Sequence, residues 1–129
     1  TRPQTTLEGL DPRLVAWWKW IRPEWREASG LKLKLLETVR TEERQAWLYA
    51  QGRTRPGPIV TWRRHSNHQD GRAIDVAIVA DGRVLLGANA LELALYRWLA
   101  ALGERDGVVS LGRRVGKDWF HFEVTDPSS

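Results

Sequence analysis

The chain has 129 residues, of which 42% are hydrophobic and 28% charged, and this composition predicts one compact domain over residues 1–129 and argues against disorder. It contains no cysteine, which excludes disulfides and thiolate metal sites, so any metal must be held by nitrogen and oxygen. The net charge of +4 favours weak binding to polyanions, and no apolar run approaches the ~20 residues that a membrane span needs.

The first predicted element is a helix that begins at Asp11 and Pro12, which are typical of an N-cap and a first helical position. Apolar residues then recur at three- and four-residue spacing and predict a face that packs in the core: Leu14, Trp17, Trp18, Ile21 and Trp25. We expect Pro23 to end or kink this helix because proline has no N–H to donate.

A half-buried strand should follow, because leucines at 31, 33 and 35 alternate with lysines at 32 and 34. We expect it to run to about Val39, with Arg40 at its end. A short helix should begin at Thr41–Glu43 and end at Gly52. The proline- and glycine-containing segment 53–66 predicts a long loop that borders the functional site.

The second half of the chain predicts two more strands, a hairpin and a helix. Residues 73–80 form an apolar run typical of a buried strand, and Asp81-Gly82 predicts the turn of a hairpin. Residues 89–102 predict an amphipathic helix that ends at Gly103, and residues 119–124 a final strand. Residues 106–116 fit no regular pattern. Together these elements predict an α+β domain with a small antiparallel sheet and flanking helices.

Two segments contain the residues with the most informative chemistry. The first provides His68 and Asp75, and the second provides His121. Two imidazoles and a carboxylate are a typical ligand set of a catalytic zinc, which leaves one position for water and lowers the pKa of that water toward ~7. A further carboxylate, that of Asp118, would complete a hydrolase.

The spacing of these residues is compatible with one site. Alternate residues of a strand share a face. His121 and Glu123 should therefore lie on one side of the strand, and Phe120 and Phe122 on the other. Asp118 lies at the entrance of that strand, where a bend would bring its carboxylate beside the ligands. Gly71 predicts a turn between His68 and Asp75.

Other interpretations of the same residues remain open at this point. A single histidine, or an aspartate at a strand end, commonly serves only as a hydrogen-bonding group. His65 competes with His68 as a ligand, although we interpret it as a loop residue. Glu123 is interpreted as a residue supporting a ligand, or as the second choice for the catalytic base.

The order of these residues supports the metal interpretation. The chain contains Ser66-x-His68-x-x-Gly71-x-Ala73-x-Asp75 and, much later, Asp118-x-x-His121-Phe122-Glu123. This arrangement closely resembles the M15 metallopeptidases, the family of D-Ala-D-Ala carboxypeptidases and L-alanyl-D-glutamate endopeptidases that includes many phage endolysins. Residues 40–54 and 59–61 also resemble the segment that precedes the zinc motif in the endolysin and endopeptidase branch.

The resemblance implies one Zn²⁺ per chain, bound by His68, Asp75 and His121, with Asp118 as the catalytic carboxylate. It further implies that Arg40 steadies the substrate near the scissile carbonyl. Ser66 is expected to orient the ligand loop or the substrate. The implied fold is the one shared by D,D-peptidases and the hedgehog signalling domain. Residues 108–112 depart from the endolysin branch, and this departure concerns the substrate pocket more than the chemistry.

The resemblance therefore implies a zinc peptidase that acts on peptidoglycan stem peptides in the cell wall. We expect an L-alanyl-D-glutamate endopeptidase, with D-alanyl-D-alanine carboxypeptidase as the first alternative and an inactive zinc-stabilised binding module as the second. We expect a monomer without a transmembrane segment. A nucleic-acid binder would use Arg63, Arg64, Arg113 and Arg114, but no known binding motif is present and no specific nucleic acid is expected as partner.

Overall fold

The computed structural model describes residues 1–125. Within this range, four helices and five strands follow one another along the chain. The helices are α1 (Pro12–Ser29), α2 (Glu42–Ala50), α3 (Ala90–Gly103) and α4 (Leu111–Val115). The strands are β1 (Lys32–Glu37), β2 (Ala73–Ala80), β3 (Arg83–Val84), β4 (Val108–Ser110) and β5 (His121–Val124).

The strands form one antiparallel sheet in the order β1-β2-β5-β4, and β3 pairs with β2. The central strand β2 aligns Asp75 with Glu37 of β1 on one side and with His121 of β5 on the other. The predicted α+β class is thereby confirmed. The register also brings Asp75 and His121, which are 46 positions apart, directly opposite each other.

The two faces of the sheet have different roles because side chains alternate along a strand. Ile74, Val76 and Ile78 are completely buried and belong to the hydrophobic core, which also contains the apolar face of α1. Phe122 and Val124 of β5 join the same core. Asp75 and His121 therefore lie on the opposite face, together with the buried Ala73 and Ala77.

Helix α1 begins as predicted, since the side chain of Asp11 accepts a hydrogen bond from the backbone N–H of Arg13 and Pro12 occupies the first turn. Pro23 was predicted to end or kink the helix. It does not end the helix, because α1 continues to Ser29. Pro23 is exposed, whereas Ile21 and Trp25 on either side of it are completely buried. Burial of this apolar face stabilises the helix beyond the missing hydrogen bond.

Several predicted boundaries differ from those observed. The first strand ends at Glu37 and the last begins at His121, so both are shorter than predicted. Residues 106–116, which showed no pattern, contain the short β4 and α4. Among residues 1–125, no helix combines the length and the apolar character required to cross a membrane.

Candidate metal centre

Three separate parts of the fold bring the predicted ligands together. His68 lies in the turn before β2, Asp75 lies on β2, and His121 opens β5. One ligand atom from each residue lies within 4.8 Å of the other two. Oδ1 of Asp75 is 3.4 Å from Nε2 of His68 and 3.4 Å from Nδ1 of His121. These distances leave a point between the three atoms that one metal ion can occupy.

The imidazole of His68 is held in one orientation by the backbone. Its Nδ1 donates a hydrogen bond to the carbonyl of Thr38 at 2.8 Å, which leaves the lone pair of Nε2 free to bind a metal. The side chain is almost entirely buried, with a relative exposure of 2%. The backbone N–H of Arg40 in turn donates to the carbonyl of His68 at 2.8 Å, which ties the turn to the end of β1.

The turn that carries His68 is shaped by Ser66 and Gly71. Ser66 Oγ accepts a hydrogen bond from the backbone N–H of His68 at 3.2 Å. Gly71 has a φ of +67° and approaches the carbonyl of Gly9 so closely that a Cβ would lie 2.4 Å from that oxygen. A side chain at position 71 is therefore excluded on two grounds. This hydrogen bond is compatible with the prediction that Ser66 orients the loop that carries His68, which was one of its two predicted roles.

The imidazole of His121 is oriented by Glu123, which lies two residues further along β5 on the same face. Glu123 Oε1 lies 2.8 Å from Nε2 of His121, so Nδ1 of His121 is the nitrogen that faces Asp75. Asn67 Nδ2 donates to the other carboxylate oxygen of Glu123 at 3.1 Å. A carboxylate bonded to the distal nitrogen of a ligand histidine fixes the tautomer and raises the basicity of that histidine.

Asp75 provides the test of whether a cation fits this site. Its Oδ1 is buried and has no hydrogen-bond partner among the described residues, although buried polar atoms are almost always satisfied. Two imidazole nitrogens face the same oxygen. A divalent cation would bind this oxygen and both nitrogens at once. Two nitrogens and one oxygen in the absence of thiolates suit Zn²⁺.

The charges of the site couple Asp75 and His121. Burial opposes ionisation of Asp75, but the two neighbouring imidazoles of His121 and His68 outweigh it and lower the pKa of this carboxyl below its usual range. Burial likewise opposes protonation of His121, but the carboxylates of Asp75 and Glu123 outweigh it and raise the pKa of His121 to about 9. In the metal-free protein, protonated His121 thus neutralises the buried carboxylate.

Asp118 lies in the turn that leads into β5, and its backbone carbonyl accepts a hydrogen bond from the N–H of His121 at 3.2 Å. Its φ of +63° is in the left-handed region, which aspartate tolerates better than most residues. Partial desolvation and the nearby charge of Asp75 raise the pKa of Asp118. Solvent screens part of this shift because the residue is exposed.

Arg40 is fixed beside the site by a buried network. Its terminal nitrogens donate to Gln45 Oε1 at 2.7 Å and to Glu37 Oε1 at 2.8 Å. Glu37 also accepts from Arg44 at 2.6 Å. Burial opposes the charge of Glu37, but the two guanidinium groups lower its pKa. Nε of Arg40 is buried and has no hydrogen-bond partner among residues 1–125.

His65, the competing ligand, is outside the metal cluster. It is exposed, and its Nε2 lies 3.0 Å from Asp70 Oδ1. The loop therefore presents His68, and not His65, to Asp75.

Sequence reasoning missed two parts of the site. The carbonyl of Thr38 that orients His68 is a backbone group, so no residue type at that position could reveal it. Gln45 is completely buried and joins Arg40 to the carbonyl of Arg63 through its two amide atoms. A glutamine on the inner side of a short helix, between two tryptophan- and arginine-rich segments, was the only available signal.

No protein-family model matches the chain. Among solved structures, the L-Ala D-Glu endopeptidase ChiX of Serratia marcescens aligns with a TM-score of 0.64 and 24% identity over 92% of this chain and 83% of its own. A mutant of the vancomycin resistance D,D-pentapeptidase VanY from a VanB-type resistance cassette, in complex with Zn(II), aligns with a TM-score of 0.60 and 18% identity over 99% and 80%.

The LD-carboxypeptidase LdcB aligns with a TM-score of 0.62 and 17% identity over 89% of this chain and 58% of its own. At these identities the comparisons establish the fold, which confirms the predicted D,D-peptidase and hedgehog type of architecture. The chain is thus structurally similar to the M15-type peptidoglycan peptidases and carries a His-Asp-His cluster suited to a metal.

Proposed function

We propose that this chain is an M15-type zinc peptidase that cuts a bond in the stem peptides of peptidoglycan, with the L-Ala-D-Glu bond as the first choice. The observation that carries the proposal is the buried, unpartnered Oδ1 of Asp75, which faces one nitrogen of each of two oriented imidazoles. A purely structural cluster would satisfy that oxygen from within the protein.

The ligands would be His68 through Nε2, His121 through Nδ1, and Asp75. Bound Zn²⁺ supplies a Lewis acid that polarises a peptide carbonyl and makes water a better nucleophile at neutral pH. Thr38 and Glu123 prepare the site because each accepts the proton of the ring nitrogen that does not face Asp75.

Asp118 would be the general base and then the general acid. Its carboxylate takes a proton from the attacking water and returns a proton to the amine that leaves when the peptide bond breaks. The raised pKa of Asp118 suits this role, since a stronger base accepts the proton more readily and a protonated carboxyl can donate it afterwards. Its exposure lets substrate and water reach it.

Arg40 would stabilise the negative charge that develops on the carbonyl oxygen. Glu37 and Gln45 fix the guanidinium in advance, so its charge is already in place when the substrate binds. Preorganised donors of this kind are often a major contribution to catalysis. Ser66 would act indirectly, through the turn that places His68.

The choice of substrate is supported by the similar structures and by charge. ChiX is an L-Ala D-Glu endopeptidase, whereas VanY and LdcB act as D,D-pentapeptidase and LD-carboxypeptidase. The resemblance of residues 40–54 and 59–61 to the endopeptidase branch favours the first activity. A basic protein is also attracted to an anionic cell wall.

Digestion of purified peptidoglycan, followed by mass spectrometry of the products, tests the proposal. New N-terminal D-Glu that requires both zinc and Asp118 is the expected result, whereas release of D-Ala would assign a carboxypeptidase. His65→Ala is the matched control, because this histidine lies in the same loop but outside the cluster, and it should retain activity. Absence of cleavage by the folded, zinc-loaded protein would refute the enzyme and favour a binding module.

A further inference from the structure

An exposed surface beside the metal cluster combines aromatic rings with arginines. It consists of the half-buried Tyr49 of α2 and Arg53 just after α2, and of the exposed Trp62 and Arg64 in the loop before His68, and we refer to these four residues as the arginine–aromatic surface. Trp62 is 78% exposed, the highest value for a large apolar side chain among residues 1–125. Its indole is therefore largely open to solvent and to a ligand.

The guanidinium groups of this surface lie against its rings. Arg53 is 3.8 Å from the ring centroid of Tyr49 and 5.4 Å from that of Trp62. Arg64 is 5.5 Å from the Tyr49 ring. Both lie within the distance of cation–π attraction. A stacked guanidinium is held flat while its N–H groups point outward at the edge, an arrangement that suits a planar anion.

The arginines of this surface carry uncompensated charge. Within the described part of the chain, Arg53, Arg63 and Arg64 form no ion pair, in contrast to Arg40 and Arg44, which share Glu37. The guanidinium of Arg64 beside the Tyr49 phenol lowers the pKa of Tyr49. Three neighbouring cations without a carboxylate attract an anionic ligand.

A hydrogen-bonded connection joins the loop of this surface to Arg40, whose backbone N–H is bonded to His68. The carbonyl of Arg63 accepts from Gln45 Nε2 at 2.5 Å, and Gln45 Oε1 accepts from Arg40 at 2.7 Å. Trp62 precedes His68 by six positions, which limits their separation to about 22 Å even for an extended chain. Arg64 is nearer in sequence, four positions before His68, which limits the separation of their Cα atoms to about 14 Å.

We propose that the arginine–aromatic surface binds the free α-carboxylate of the glutamate residue in the stem peptide and makes the protein prefer that carboxylate to its carboxamide form. The inference rests on the proposed function. A γ-linked glutamate keeps its α-carboxylate beside the L-Ala-D-Glu bond, so the anion lies next to the site of cleavage. Arg64 provides the charge-assisted hydrogen bonds, and Trp62 provides an apolar contact for the peptide.

A single-stranded nucleic acid is the competing ligand, since such chains bind surfaces of arginine and aromatic side chains. The geometry favours the peptide. Successive bases need several accessible rings, whereas both cations cover Tyr49 and only Trp62 of this surface is fully open. Oligonucleotide binding is therefore an outcome of the test below, and it would overturn the proposal.

Calorimetric titration with two synthetic peptides tests the proposal. Both are acetyl-L-Ala-γ-D-Glu-L-Lys with an amidated C-terminus, and they differ only in whether the glutamate α-position is a carboxylate or a carboxamide. The titrations use the zinc-loaded Asp118→Asn chain, so that binding is measured without cleavage. We expect about tenfold to a hundredfold tighter binding of the carboxylate, as for hydrogen bonds to charged groups.

Three further variants separate the effect of the arginine charge on the preference from the effect of the apolar contact on binding. Arg64→Gln should reduce the preference to near one, while Trp62→Ala should weaken binding of both peptides and leave the preference intact. Arg83→Gln removes an exposed arginine of the distant hairpin and should change neither. Thermal unfolding verifies that each variant is folded.

Equal binding of the two peptides, a preference that survives Arg64→Gln, or displacement of the peptides by oligo(dT) would overturn the proposal. Hydrolysis of the same peptides by the unaltered chain is a separate readout. A carboxylate preference without hydrolysis would refute the proposed enzyme but support the binding surface. Hydrolysis without a preference would support the enzyme but refute the binding surface.

Discussion

Asp75 and Asp118 are two carboxylates with opposite surroundings. Asp75 faces two imidazoles that lower its pKa, while partial desolvation and the charge of Asp75 raise the pKa of Asp118. Asp118→Asn should therefore reduce kcat by about 10²–10⁴-fold, the usual contribution of a general base, and leave zinc affinity nearly unchanged. Asp75→Asn should abolish high-affinity zinc binding. Competition with a chromophoric chelator measures affinity, and an equal loss of zinc from both variants would contradict the assignment.

Protonated His121 must lose its proton before it can bind a metal. Because the carboxylates of Asp75 and Glu123 raise its pKa to about 9, zinc binding at pH 7 should release about one proton from this residue. Zinc affinity should rise about tenfold per pH unit and level off above pH 9. Calorimetry in buffers with different ionisation enthalpies counts the protons. Glu123→Gln should reduce the number, and zinc binding without proton release would show that His121 is neutral.

At the scale of elements, Glu37 links the end of β1 to α2 through Arg40 and Arg44. Its folded-state pKa is lowered below the unfolded value of about 4.3. The stabilising contribution of Glu37 is therefore complete above that value and is lost as the pH falls through the folded pKa. The midpoint of thermal unfolding should decrease below about pH 4.

Glu37→Gln tests this link directly. The side chains of Glu37 and Arg40 are only 7% and 10% exposed, so loss of the charge leaves a nearly buried guanidinium unpaired. We expect the free energy of unfolding to fall by about 3–5 kcal/mol at pH 7 and to depend less on pH in the acid range. Urea denaturation from pH 3 to 7 provides the measurement. A variant as stable as the unaltered chain at pH 7 would show that the network contributes little.

The elements also show what sequence can and cannot predict. Periodicity identified α1 and α3 because their buried side chains repeat over several turns, and a continuous apolar run identified β2. The three residues of β4 and five of α4 are too few for a repeat, so they were missed. Pro23 indicated an interruption that the surrounding buried face overrides. Local preferences are weaker than packing in each of these cases.

The candidate site also contains residues that the sequence predicted and groups that it did not. Its ligands were predicted because metal chemistry restricts which residue types can serve, and the cluster of His68, Asp75 and His121 brings together the three that were named. The carbonyl of Thr38 and the buried Gln45 escaped prediction, since a backbone group has no residue signal and the burial of a glutamine depends on the tertiary fold. Sequence thus identifies reactive groups better than the groups that hold them.

In the molecule as a whole, the hydrophobic core and the metal cluster occupy opposite faces of one sheet. The core face carries Ile74, Val76 and Phe122, which pack against the apolar residues of α1 and α3. The other face carries Asp75 and His121. Alternation along two adjacent strands is sufficient to achieve this separation. Changes in the cluster should therefore leave the core intact, which makes the effect of the metal on stability measurable.

The metal should stabilise the domain without being required for folding. The metal would connect the turn at His68 with β2 and β5. It would also bind Asp75 Oδ1, which is buried and has no hydrogen-bond partner among the described residues. Zinc at a hundredfold excess over its Kd adds about 2.7 kcal/mol, which corresponds to roughly 10 °C in the unfolding midpoint of a domain this size. Excess EDTA should reverse the shift while far-UV circular dichroism stays native, and Asp75→Asn should show no shift. Loss of native helix signal on chelation would instead show that the core depends on the metal.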